Sequence, residues 1–222
     1  MTDFIDTYRP LPPLTPADKI YIRSNFHTLE DLCLSRPNKP ADYRSQIRAG
    51  LLPLPTYAVD GIEMYPADFF VFPDSVGSLA DQLEKQFFAQ YQRMAESYGQ
   101  QIPEAQIREE FASYLSGEYG VCLRWVTPET IFLKGLTMGK VDELLSEPNP
   151  GNTEWSAALG SWINRLDAME REFAPCDTAR FGSLPSRVRY IDNVRAKYPD
   201  CFMAPLSRRD KPRCSCGTDM HE

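Results

Sequence analysis

Histidine is nearly missing from this chain: its 222 residues include two, His27 and His221. His27 directly precedes a helix-start signal and His221 is the penultimate residue, so the sequence offers no evident histidine base for a serine or cysteine nucleophile. Neither G-x-G-x-x-G nor G-x-x-x-x-G-K-[ST] occurs, and there is no H-E-x-x-H or H-x-E. Recognisable phosphate loops and zinc-hydrolase motifs are thereby excluded. No stretch approaches the roughly 20 consecutive apolar residues of a membrane span. Positive charge is also scarce. The net charge of -7 and pI near 5.0 argue against general attachment to nucleic acid or to anionic lipid. The opening MTDFIDTYRPLPPLTP carries two acids in its first six residues and no apolar core. It does not read as a secretory signal, and a cytoplasmic, soluble protein is expected.

Six cysteines do not amount to a disulfide framework at this length. Cys33, Cys122, Cys176 and Cys201 are scattered through or beside apolar segments and are expected to act as small hydrophobes. Cys214, Cys216 and His221 provide three of the four ligands that a structural zinc would need. No metal and no cofactor is therefore predicted, and residues 201–222 are expected to form a flexible tail.

What is present is helical pattern, in two styles. Thr15-Pro16-Ala17-Asp18 and Thr28-Leu29-Glu30-Asp31 are helix starts, and a third helix runs from about Pro40 to Gly50. Asp60-Gly61 between Tyr57-Ala58-Val59 and Ile62-Glu63-Met64-Tyr65 predicts a β-hairpin. Together these outline a winged helix-turn-helix-like portion over residues 1–75. That portion holds seven Lys or Arg against ten Asp or Glu, which disfavours DNA as its target.

From residue 76 to 200 the helices lengthen. Leu83, Phe87, Tyr91, Met94 and Tyr98 share one face, as do Ile107, Phe111 and Leu115, with Glu104, Glu109 and Glu110 placed outward. Thr127-Pro128-Glu129 starts a further helix, which Gly135 is expected to interrupt. Trp155, Leu159, Trp162, Leu166, Met169 and Phe173 form the clearest stripe, ended by Pro175, with Asp167, Glu170 and Arg171 on the polar side. Val188, Ile191, Val194 and Tyr198 then keep helical spacing. The fold class predicted is mainly α: a helical bundle carrying a helix-turn-helix-like N-terminal portion with a small β-hairpin.

The candidate site is the polar cluster that follows the Trp155 helix. Arg180 and Arg187 flank Gly182, and two guanidinium groups could clasp a carboxylate, phosphate or sulfate. Alternatively they tie the loop to Asp167, Glu170 or Asp177 as structural ion pairs, which are commoner at such loops. Arg124, inside the apolar run Val121–Val126, is expected to be buried. It would then hold an acid of the Trp155 helix or face a cavity. Asp167, Glu170 and Asp177 remain available for acid–base chemistry, which needs no linear motif.

Several segments also carry a family resemblance: Tyr8-Arg9-Pro10-Leu11-Pro12-Pro13-Leu14-Thr15, Gly50 to Tyr57, Tyr119-Gly120-Val121-Cys122-Leu123-Arg124 through Thr127-Pro128-Glu129, and Arg180-Phe181-Gly182 with Ser186-Arg187. Over nearly the whole chain to about Pro199 the sequence resembles a family of unknown function found in bacterial natural-product biosynthesis clusters. The resemblance implies a role in specialised metabolism and brings no assigned catalytic residue. The function expected is that of an accessory subunit with a biosynthetic enzyme of the same pathway as its protein partner. A stand-alone enzyme acting on a small anionic or amino-acid-like ligand, or a DNA-binding pathway regulator, are the alternatives.

Overall fold

The computed structural model describes residues 13–77, 82–178 and 184–202. The described residues start with helix α1 (Pro16–Asn25), strand β1 (Phe26–His27), helix α2 (Leu29–Leu32), helix α3 (Pro40–Arg48) and the hairpin strands β2 (Tyr57–Val59) and β3 (Ile62–Pro66). The expected starts are present as capping boxes. Thr15 accepts from the Asp18 N–H and Thr28 from the Asp31 N–H, while each aspartate reaches back to the threonine N–H. The hairpin turns on Asp60 (φ 53°) and Gly61 (φ 80°), both left-handed as a two-residue turn requires. β3 pairs antiparallel with β2 and with β1, which gives a three-stranded sheet in the order β1-β3-β2.

Helix α4 (Val71–Val76) leads into the body: α5 (Leu83–Ser97), α6 (Glu104–Leu115), α7 (Pro128–Ser146) and α8 (Thr153–Met169), then a π-helical turn Arg187–Asp192 and α9 (Asn193–Lys197). The described residues thus form nine α-helices and one small sheet, a mainly α protein with a small hairpin. α7 packs on both α5 and α8, and the π-turn lies on α8. Phe87, Ile107, Leu123, Leu159, Ile163, Leu166 and Ile191 are sealed from solvent between these elements.

The helix faces differ in detail from those expected. On α8 it is Ile163 that is fully buried while Trp162 lies at the edge; on α5, Ala95 replaces Met94 and Tyr98 is 40% exposed. Gly135 does not interrupt α7, which continues through it to Ser146. A helix-interior glycine costs about 1 kcal/mol, and the packing of Ile131, Phe132 and Leu136 offsets that. Glu110 is half-buried rather than outward, and it accepts the Tyr119 hydroxyl.

Buried contacts run across the boundary drawn at residue 75. Leu29, Tyr43, Ile47, Leu52, Tyr65, Phe69 and Phe70 make a core belonging to the N-terminal head. Ile22, Phe26, Tyr57, Val59 and Met64, by contrast, pack with Val121, Ala174 and Cys176 of the body. Gly117 makes the seam possible. It sits at φ 74°, and a Cβ there would stand 2.3 Å from the Leu54 carbonyl oxygen.

Candidate functional site

The site originates where α8 stops. A helix extending through Phe173 would have kept Glu170 and Arg171 on its polar face. Instead α8 ends at Met169 and Glu170 turns extended (φ -89°, ψ 141°). The cause is a backbone bridge between Leu123 and Glu170. The Arg124 N–H donates to the Met169 carbonyl and the Arg171 N–H to the Cys122 carbonyl, each at 2.9 Å. The run Val121–Val126, which by period alone could be strand or helix, is thus the end of a 3-10 turn followed by this bridge.

The two arginines lock the crossing from opposite sides. Arg124 Nε donates to the Glu170 carbonyl and Arg171 Nε to the Leu123 carbonyl, both at 2.8 Å. Arg124 is exposed, contrary to its expected burial, and its guanidinium holds main chain rather than an acid. The apolar run does not bury every member: Val121, Cys122 and Leu123 lie inside, whereas Arg124 and Trp125 leave the bridge on the solvent side. Arg171 faces inward, 3.7 Å from the buried carboxylate of Asp68 and stacked over the Phe26 ring at 4.9 Å. Asp68 in turn accepts the Val126 N–H, and its burial raises its pKa.

Diverting the chain at Glu170 carries its side chain into the body, where it is fully sealed from solvent. There it meets Lys134 of α7, Nζ to Oε1 at 3.2 Å, and accepts the Ser186 hydroxyl. Lys134 Nζ also lies 2.9 Å from the Cys122 sulfur. Burial works against the Lys134 ammonium, but Cys122 and Glu170 outweigh it and leave the lysine pKa raised. Burial raises both Glu170 and Cys122. Glu170 Oε2 has no hydrogen-bond partner among the described residues.

Cys122, Lys134 and Ser186 line a cleft of about 460 Å³ whose apolar walls include Val121, Met138, Phe173, Leu184 and Pro185. That volume falls among small-molecule sites, about 300–1,000 Å³. Tyr190 closes one side, with its hydroxyl on Asp142 at 2.8 Å.

The other expected site residues are dispersed. Asp167 holds Arg187 at 2.8 Å and Arg195 at 3.0 Å, one carboxylate shared by two guanidinium groups. Asp177 is buried at the head–body seam, where it accepts the Tyr57 hydroxyl at 2.8 Å and the Ala174 N–H at 2.9 Å. Arg180 lies outside the described residues, as do Cys214, Cys216 and His221. The structure therefore brings the Glu170 carboxylate together with Lys134, Cys122 and Ser186, leaves Arg187 near enough to act on it electrostatically, and places the Arg124, Asp167 and Asp177 side chains elsewhere. Lys134 could have been noticed in the sequence as a lone cation in Ile131-Phe132-Leu133-Lys134-Gly135-Leu136. Nothing local marks its pairing with Cys122.

Among the described residues, no three His, Cys, Asp or Glu side chains stand close enough to hold a metal ion, and no helix is long and apolar enough to cross a membrane. Residues 76–199 match a family of unknown function, DUF6058. The chain belongs to that family. The DUF6058 span contains Cys122, Lys134, Glu170 and Ser186, so the whole cleft cluster lies within it, while the three strands lie before it. No curated protein and no solved structure matches the chain.

Proposed function

We propose that this protein is an accessory subunit of bacterial specialised metabolism, acting in complex with a biosynthetic enzyme of its own pathway. The observation that carries this is how its cations are used. Arg187 is paired with Asp167, which takes away one of the guanidinium groups a stand-alone anion site would need, and Arg124 anchors a main-chain carbonyl through its Nε. The resemblance to proteins of natural-product clusters supplies the metabolic setting.

The head supports a protein partner over DNA. We read its order of helix, strand, helix, helix and hairpin as helix-turn-helix-like, and a fold of this kind serves protein contacts as well as DNA. Its cations are largely neutralised in place. Lys19 and Arg23 share Asp60, Arg36 is held by Asp74, and Arg44 bridges Glu30 and Glu63. Phosphate contact requires free positive charge, so no salt-sensitive binding to promoter DNA is expected.

A small-molecule reading is favoured by one feature, the cleft beside Lys134, and it is compatible with a subunit that presents or holds an intermediate. Co-expression with the products of neighbouring genes, followed by mass measurement of the purified complex and assay of the partner with and without this chain, tests the proposal. A stable complex and a partner enzyme that slows without it are expected. Full partner activity without the chain, or turnover of a pathway intermediate by this protein alone, would overturn it.

A further inference from the structure

Cys122 and Lys134 line one cleft and Glu170 is sealed beside Lys134, so that a nucleophile, an ammonium that donates to its sulfur and can relay its proton, and a carboxylate that positions the ammonium come together from three separate elements. The sulfur is 2.9 Å from Nζ and Nζ is 3.2 Å from the carboxylate. The Ser186 hydroxyl donates to the same carboxylate oxygen, Oε1. A nucleophile within hydrogen-bond reach of a base, itself oriented by a third group, is the signature of covalent catalysis by side chains. We propose that Cys122 is an acyl acceptor, taking an acyl group from an activated thioester and holding it in the cleft as a cysteinyl thioester.

The charge arithmetic favours this use. A buried thiol ionises with difficulty when ionisation adds a charge. Here Lys134 can pass a proton to Glu170 as it takes one from Cys122. The resting set of ammonium, carboxylate and thiol becomes ammonium, carboxylic acid and thiolate, with one cation and one anion in each. No new buried charge is created. Glu170 suits the receiving role because burial raises its affinity for a proton over the opposing pull of Lys134, Ser186 and Arg187, and its Oε2 has no competing partner among the described residues.

In the transfer itself the Cys122 sulfur attacks the carbonyl carbon of the incoming thioester and a new S–C bond forms. The bond from that carbon to the donor sulfur breaks, and the departing thiolate leaves as a thiol with the proton held by Lys134 and Glu170. No oxidant or metal enters. The apolar walls, with Met138, Phe173 and Leu184, suit a hydrocarbon chain. The Cys122 N–H is spent on the Tyr119 carbonyl at 3.2 Å and does not face the cleft as an oxyanion donor. Such a site favours holding the acyl group over hydrolysing it quickly.

The partner reading above enters only as the natural source of the acyl group, so the test uses a free reagent. The full chain is incubated with hexanoyl-N-acetylcysteamine, and acylation of each cysteine is followed by peptide mass mapping. Cys122 is expected to acylate at least about tenfold faster than the equally buried Cys33 and Cys176, with the adduct lost in Cys122→Ser. Lys134→Met should slow it on the order of 100-fold, with folding checked by circular dichroism. Equal labelling of all cysteines, no label on Cys122, or a folded Lys134→Met that acylates at the parent rate would overturn the proposal. Should that variant not fold, the site map on the parent chain decides alone. Failure here leaves the accessory-subunit reading standing, and failure to isolate a complex leaves the acyl acceptor standing.

Discussion

The head and the body use the same kinds of ion pair to opposite ends. In the head, Lys19 and Asp60 meet with side chains 38% and 49% exposed, and Arg23 joins them at 55%. In the body, Lys134 and Glu170 meet at 13% and 0%. Water screens the first set, so each pair contributes little and serves mainly to cancel positive charge on the head's surface. The second set lost its water when the body packed, so each partner depends on the other. An ion pair's count thus says little about its role, whereas its depth separates surface neutralisation from a poised internal cluster.

Breaking the deep pair should have the largest effect. Lys134→Met would leave Glu170 without its cation, and a loss of about 3–5 kcal/mol is expected from denaturant unfolding near neutral pH. Gly117→Val comes next. It places a side chain against the Leu54 carbonyl at a left-handed backbone position and should cost on the order of 2–3 kcal/mol. If the variant is as stable as the parent, the seam is looser than its geometry.

The partly exposed pairs should matter less. Arg187→Ala should cost about 1 kcal/mol, since Asp167 keeps Arg195 as a second partner. Arg23→Ala, on the surface of the head, should cost less than about 0.5 kcal/mol. Reversal of that order would break the comparison between surface and interior.

Acidity sharpens the same contrast. Burial raises the pKa of Glu170, Asp68 and Glu110 above their ordinary values of 4.5, 3.8 and 4.5. The stability these groups contribute is full below those ordinary values and is lost as pH rises through the raised ones. Asp31 and Asp60 of the head move the other way, Asp31 through hydrogen bonds from Thr28 and Asp60 chiefly through Lys19. Their contribution is present above 3.8 and disappears as pH falls through the lowered values. The melting temperature should therefore rise modestly as pH falls from neutral towards about 5, and decline only at stronger acid. In Lys134→Met the rise should be steeper, because Glu170 then gains more from protonation. A flat profile in both proteins would argue that Glu170 is not sealed.

The head was readable from the sequence because its signals are local. Thr15 with Asp18, Thr28 with Asp31, and Asp60-Gly61 each act over two to four residues, and each is found as its own chemistry predicts. The stripes of the body were readable to within a residue, Ile163 for Trp162 and Ala95 for Met94, because several positions on a helix can serve the same face. Of the expected site, Glu170 is at the cleft cluster and Arg187 is an ion pair with Asp167, while Arg124 is on the surface.

Composition and local spacing by themselves determined a mainly α chain with capped helices, a two-residue hairpin and few groups suited to familiar catalysis. Only the tertiary structure decided where α8 ends, because the bridge that stops it is supplied by Leu123, 47 residues before Glu170 in the chain. Hydrogen bonds to a distant stretch of backbone replace helical bonds that local propensity would have continued, and nothing within a turn of Glu170 announces them. That single diversion puts a carboxylate into the core, where it requires Lys134, and Lys134 brings Cys122 into reach.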